Sequence, residues 1–237
     1  DPKAAAPALV VRHGLGRGLC VAPGEVVAIR ASDAAAASLL FKRAAGVEPT
    51  PVGAILAFGR QPASLPRQII GYVGPASPIL RDALRRNLSP GARVSGSDAS
   101  VSEAVARAGL EQVAARIGLD GRLSEDGRDL SADERARLLV ARAFLERPRL
   151  LLLDAAALAI REEMAALLAA DARARGAAVL ITAPSDWPAL LADRTVEMSQ
   201  GIPCAIPMAR NGAVATIGTG DGPLSDGIAS CDLPRKR

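Results

Sequence analysis

Two side chains, Asp33 and Ser38, stand where an apolar run gives way to an alanine-rich one. Val26, Val27, Ala28 and Ile29 break at Ala31-Ser32-Asp33, and from there to Gly46 the apolar residues fall at helical spacing. The order is strand, tight loop, helix. When such a unit carries Gly-x-x-x-x-Gly-Lys-Ser/Thr, the glycines let backbone amides wrap a phosphate and the lysine reaches the terminal phosphates. In this chain, residues 34 to 37 are all alanine and no glycine lies between Ala31 and Ser38. An L-residue in the left-handed region costs about 1 to 2 kcal/mol, so alanine resists the phosphate-wrapping shape and favours helix. The expectation is therefore a helix that starts early, capped by Ser32 or Asp33, with the Asp33 carboxylate at its N-terminus. The dipole and free amides there would otherwise hold an anion. Two readings stay open: the carboxylate repels a phosphate-bearing ligand, or Asp33 is an ordinary cap in a solvated loop.

A cation to replace the loop lysine is hard to find. The lysines are Lys3, Lys42 and Lys236, and Lys42 lies five positions past Ala37, about 140° round a helix of 3.6 residues per turn. Arg30 precedes the loop, although an arginine ending a strand is more often a surface residue.

The elements that must position these residues come from a chain of 237 residues, 49% hydrophobic but only 2% aromatic. It suffices for one sizeable core with a subdomain, built of Leu, Val, Ile and Ala. The net charge of +4 is mostly arginine interspersed with acids, and no basic run exceeds Arg235-Lys236-Arg237, so nucleic-acid binding is not indicated. Cys20, Cys204 and Cys231 lack paired spacing and His13 is the one histidine. That argues against a disulfide framework or zinc site and suits a reducing compartment. The most apolar run, Leu150 to Ile160, is short and interrupted by Asp154, so no window reaches the roughly 18 to 20 residues that span a bilayer. The opening Asp1-Pro2-Lys3-Ala4 has no initiator methionine or signal-peptide order, as expected of a soluble piece of a longer polypeptide.

Short strands are expected at Ala8 to Val11, Gly18 to Val21, Gly53 to Gly59 and Gln68 to Val73. A flexible segment, Ser89 to Ser102, leads to helices near Val101 to Ala108 and Glu111 to Ile117. Ala132 to Glu146 is helical, with Ser131 as N-cap and Asp133 and Glu134 in the first turn. Arg149 to Asp154 reads as a central parallel strand ending in aspartate, Arg161 to Arg175 as an amphipathic helix, and Ala177 to Thr182 as the next strand. Asn211 to Arg237 reads as a short hairpin and mobile tail.

From about residue 18 to about residue 200 the chain resembles the nucleotide-binding domains of ATP-binding cassette (ABC) transporters. Pro23 to Ile29 before the loop and Leu40 to Gly46 after it carry the likeness. So do Gly118 to Ser131, which matches the approach to the family signature, Arg149 to Asp154, and the apparent edge strand Asp193 to Met198. Pro78 to Leu88 resembles the segment that opens the helical subdomain in exporter-type members. The resemblance implies an α/β P-loop NTPase (RecA-like) parallel sheet with an N-terminal antiparallel β-region and a helical subdomain. Residues 1–205 would form the cassette, with its helical subdomain at about 76–146, and residues 206–237 a C-terminal hairpin and tail.

By the same resemblance, Ser38 and Asp154 keep the magnesium positions, and Ser131 keeps the signature serine that meets the γ-phosphate of the opposite subunit's ATP. The rest departs. Ala31, Ala34 and Ala36 replace glycines, Ala37 the lysine, Pro75 the glutamine, and Ala132-Asp133-Glu134 the Gly-Gly-Gln. Ala155 stands for the catalytic glutamate, Arg161 for the D-loop aspartate and Ala183 for the histidine; no aromatic precedes Phe41 to stack on adenine, and only His13 could stand in. The expectation is an exporter-type cassette without catalytic residues that has lost ATP hydrolysis and ATP binding. No cofactor is expected, with Mg-ATP the ligand if any binding survives. It would sit at the cytoplasmic face of a membrane, beside a transmembrane domain and a second nucleotide-binding domain. The alternative is a pseudo-ATPase scaffold or protein-interaction module outside any transporter.

Overall fold

The computed structural model describes residues 6–13, 17–66, 68–90, 98–182, 191–199 and 202–204. The central layer is a sheet in the order β5-β6-β7-β3-β8-β9. It comprises β3 (Val26–Ala31), β5 (Ile70–Val73), β6 (Leu150–Asp154), β7 (Ala178–Thr182), β8 (Arg194–Ser199) and β9 (Ile202–Cys204). All pairings are parallel except β8 with β9. β6 and β7 are buried at every residue, because helices cover both faces of a parallel sheet and its strands become continuous apolar runs. A second, antiparallel sheet joins β1 (Leu9–His13), β2 (Arg17–Val21) and β4 (Ile55–Ala57) in the order β2-β1-β4.

α1 (Ala34–Ala44) follows β3 directly and buries Ala37, Leu40, Phe41 and Ala44 against the sheet. Between β5 and β6 the chain leaves the sheet for α2 (Leu84–Leu88), α3 (Asp98–Arg107), α4 (Glu111–Ile117) and α5 (Ala132–Glu146). A short α6 (Ala155–Leu158) then follows β6, and α7 (Glu162–Ala174) leads into β7. This is the P-loop NTPase α/β architecture. Two expectations need correction. Asp193 to Met198 is not an edge strand, since β9 pairs with β8 through Glu197 and Cys204. Residues 98–102 are not flexible, because α3 starts at Asp98, an acid in its first turn, and buries Val101. The expected hairpin and tail at 206–237 lie outside the described residues.

Buried polar groups shape the entry to the helical insertion. Asn87 is fully buried; its Oδ1 accepts the Leu80 N–H at 2.7 Å, and its Nδ2 donates to the carbonyls of Leu80, Asp82 and Ala83. Arg142 on α5, also buried, donates to the carbonyls of Asn87 and Pro78. One turn on, burial pushes the Glu146 carboxyl from its ordinary 4.5 up to about 7, against an opposing pull from Arg142.

Two outcomes follow from these groups. Asn87→Ala leaves the buried Leu80 N–H without its acceptor, while the carbonyls of Leu80, Asp82 and Ala83 keep their backbone donors, and lowers stability by about 1 to 3 kcal/mol, measured by urea unfolding. With its carboxyl pKa raised, the folded chain binds more protons than the unfolded chain between pH 4.5 and about 7. Glu146 therefore makes stability fall as pH rises through that window. Glu146→Gln removes that slope, and its urea midpoint exceeds the parent's above the window; a profile parallel to the parent's contradicts the assignment.

Candidate functional site

The C-terminal ends of β6 and β7 face the start of α1, and their register sets Asp154 opposite Thr182. Asp154 is 1% exposed. Its Oδ2 accepts the Ser38 hydroxyl at 2.6 Å and its Oδ1 accepts the Thr182 hydroxyl at 2.7 Å. A buried carboxylate is costly unless each oxygen has a donor, and here each does. Ser38 and Asp154, named from sequence, are thus brought together. Thr182 was missed: its one signal is that it ends a strand, and only the parallel register puts it beside Asp154.

Tyr72 on β5 borders this group. Its ring lies over Gly74, where an added Cβ would fall 2.2 Å from the hydroxyl, so position 74 has room only for glycine. The hydroxyl is buried without a hydrogen bond. Burial first, then the Asp154 charge, push the phenol up to about 12.

At the loop, Asp33 caps α1 in an extended conformation, and its Oδ1 accepts the N–H groups of Ala35 at 2.9 Å and Ala36 at 3.2 Å. The Ser32 N–H donates to the Met198 carbonyl and the Ala37 N–H to the Asp33 carbonyl. Of the donors that would cradle a phosphate, the Ala35 and Ala36 amides are therefore bonded by a side chain carrying the charge a phosphate would bring, and the Ser32 and Ala37 amides by backbone carbonyls. Ala37, in the lysine's place, is buried on the sheet-facing side of α1. Arg30 forms a 2.9 Å ion pair with Glu197, its cross-strand neighbour on β8.

Ser131 is held elsewhere, at the start of α5. Its Oγ accepts the Glu134 N–H at 3.2 Å, while Glu134 Oε2 accepts the Ser131 N–H at 2.7 Å, a reciprocal capping box. Glu134 also pairs with Arg116 at 2.9 Å, and Asp133 with Arg137 at 2.6 Å. The hydrogen bond from Ser131 is the main cause holding the Glu134 carboxyl below its ordinary range. Ala155, which follows Asp154, is fully buried. Arg161 is the N-cap of α7 without a side-chain capping bond. Pro75 is exposed. Ala183 and the His13 side chain lie outside the described residues.

A parallel sheet in this strand order, with a loop from β3 to α1 set against the ends of β6 and β7, defines a P-loop NTPase-type domain. A profile described as ABC transporter matches residues 17–157, more than half of the 237 residues, and the chain belongs to that family. Over 195 residues it is 31% identical to the cyclolysin secretion/processing ATP-binding protein CyaB of Bordetella pertussis, covering 77% of this chain and 27% of that protein. It is 36% identical over 146 residues to the glutathione/L-cysteine transport system ATP-binding/permease protein CydC of Escherichia coli K12, covering 59% and 25%. The chain thus spans about a quarter of the length of these two relatives. A solved structure described as a bacterial Atm1-family ABC exporter with ATP bound matches 86% of this chain and 40% of its own, with a TM-score of 0.66 at 23% identity. At that identity the likeness shows the fold. Among the described residues, no helix is long and apolar enough to cross a membrane, and no group of three or more His, Cys, Asp or Glu is placed to hold a metal ion.

The bonds to Asp154 predict a graded series in urea unfolding. Asp154→Ala orphans two hydroxyls and costs about 2 to 4 kcal/mol, whereas Ser38→Ala costs about 1 kcal/mol. Tyr72→Phe removes an unpaired buried hydroxyl and is neutral or stabilising by about 1 kcal/mol. A clear loss of stability in Tyr72→Phe would mean that the hydroxyl has a partner.

Proposed function

We propose that this chain is a degenerate nucleotide-binding domain of an exporter-type ABC transporter, one that neither hydrolyses ATP nor holds Mg-ATP. The observation that supports this best is the Asp33 carboxylate on the Ala35 and Ala36 amides. For a triphosphate to enter, those bonds must break and a carboxylate must remain beside an anion, with Ala37 supplying no compensating charge. Ser38 and Asp154 offer oxygens of the kind magnesium prefers, but magnesium in such sites is held by one or two protein groups together with substrate phosphates. The protein half of that set is present and the phosphate half has no seat. Magnesium would supply charge neutralisation across the phosphates were they bound.

Hydrolysis has a separate deficit. Ala155 gives no carboxylate to orient water, and Ala183 gives no imidazole. Loss of one preorganised electrostatic group costs about 10² to 10³ in rate, and several are missing. The relatives named as ATP-binding/permease or secretion proteins support placement beside a transmembrane domain. We place the chain at the cytoplasmic membrane face, paired with a second cassette, where it contributes shape and contacts rather than turnover. Ser131 and Glu134 satisfy each other, so the start of α5 offers that partner's nucleotide no free Ser131 amide.

Thermal unfolding with and without Mg-ATP tests the reading. A ligand at 100 times its Kd stabilises by about 2.7 kcal/mol; the expected shift is none, and a concentration-dependent rise in Tm contradicts the proposal. A variant combining Ala31→Gly, Asp33→Ser, Ala34→Gly, Ala36→Gly and Ala37→Lys is expected to gain an ATP-dependent rise.

A further inference from the structure

Among the described residues, a charged link fastens the helical insertion to the sheet domain away from the loop between β3 and α1. Arg107, in the last turn of α3, sends Nη2 to Asp171 Oδ1 on α7 at 2.7 Å. Its guanidinium lies 4.0 Å over the ring of Phe144 on α5. The other oxygen of Asp171 takes Nε and Nη2 of Arg175 at 3.0 Å, and Arg175 Nη1 donates to the carbonyl of Pro148, in the connection from α5 to β6. One carboxylate therefore ties the insertion, the helix covering the sheet and the chain's return into the sheet. Its side chain is 15% exposed, with Arg175 at 17% and Arg107 at 30%.

We propose that Asp171 is a latch that fixes the orientation of α3 against α7. α3 packs on α5, and toward α7 its Val101, Ala104 and Val105 only share one extended apolar cluster with Ala165, Leu168 and Ala172; burial of that kind is non-directional. A charge-assisted hydrogen bond to a planar guanidinium has a set direction, and the Phe144 ring lies against that plane. The two arginines approach different oxygens, so Arg175 orients the carboxylate that receives Arg107. Glu103, 70% exposed and 3.9 Å from Arg107, is no substitute, because solvent screens it. The latch is independent of whether nucleotide binds.

Amide hydrogen exchange on the full chain, followed by mass spectrometry, tests this. Asp171→Ala and Arg107→Gln are both expected to quicken exchange in residues 98–107 by about tenfold, with β6 and β7 unchanged. Glu103→Gln leaves exchange as in the parent. The proposal is overturned if α3 keeps its protection in Arg107→Gln, where Asp171 and Arg175 remain paired. It is equally overturned if exchange rises alike in α3 and the sheet, which is the signature of an ordinary stabilising pair.

Discussion

Asp154 sets a carboxyl group at the C-terminal end of β6 at 1% exposure, and the local structure gives each of its oxygens a donor. Ser38 reaches it from the first turns of α1, and Thr182 from the neighbouring strand. Three elements distant in sequence are joined through two oxygens. Were either hydroxyl drawn away, a lone pair would be left unmet where water has little access, which is more costly than the hydrogen bond is favourable. The brace thus sets where α1 begins relative to β6, and with it the path of the loop from Ala31 to Ser38.

That loop has the frame for holding an anion and an acid in the anion's place. Helix N-termini present free amides and a positive dipole end, and some acceptor must meet them. At α1 the acceptor is Asp33 and at α5 it is Ser131 with Glu134, each a residue of the same helix start. At both helix starts that the family resemblance assigns to triphosphate, side chains of the same helix start already hold amides: Asp33 those of Ala35 and Ala36, and Ser131 and Glu134 each other's. Each of these bonds stabilises the fold locally, as capping does in any helix.

Much of this was legible before any coordinates. The early start of α1 and its Asp33 cap followed from alanine's helix preference; the Ala132–Glu146 helix and its Ser131 cap followed from local spacing alone. What local pattern cannot carry is which strands become neighbours. Thr182 joins Asp154 only because β6 and β7 pair in parallel at that register, and β9 protects β8 only because the chain turns back after Ser199. Likewise, Arg107 and Asp171 are 64 residues apart, and nothing near either one marks the other. Ser89 to Ser102 looked flexible because Gly, Ser and Pro outweigh the apolar residues, yet burial of Val101 against the insertion overrides that composition from Asp98 onward.

The central claim is that the Ala35 and Ala36 amides belong to Asp33 and are unavailable to phosphate. The most direct measurement follows the ¹⁵N–¹H resonances of those two amides while Mg-ATP is titrated into the uniformly labelled chain. The account predicts that both stay in place at saturating nucleotide and that their exchange with solvent is unchanged. Large, saturable shifts at Ala35 and Ala36, with a matching shift at Ser38, would show that phosphate displaces the carboxylate and would contradict it.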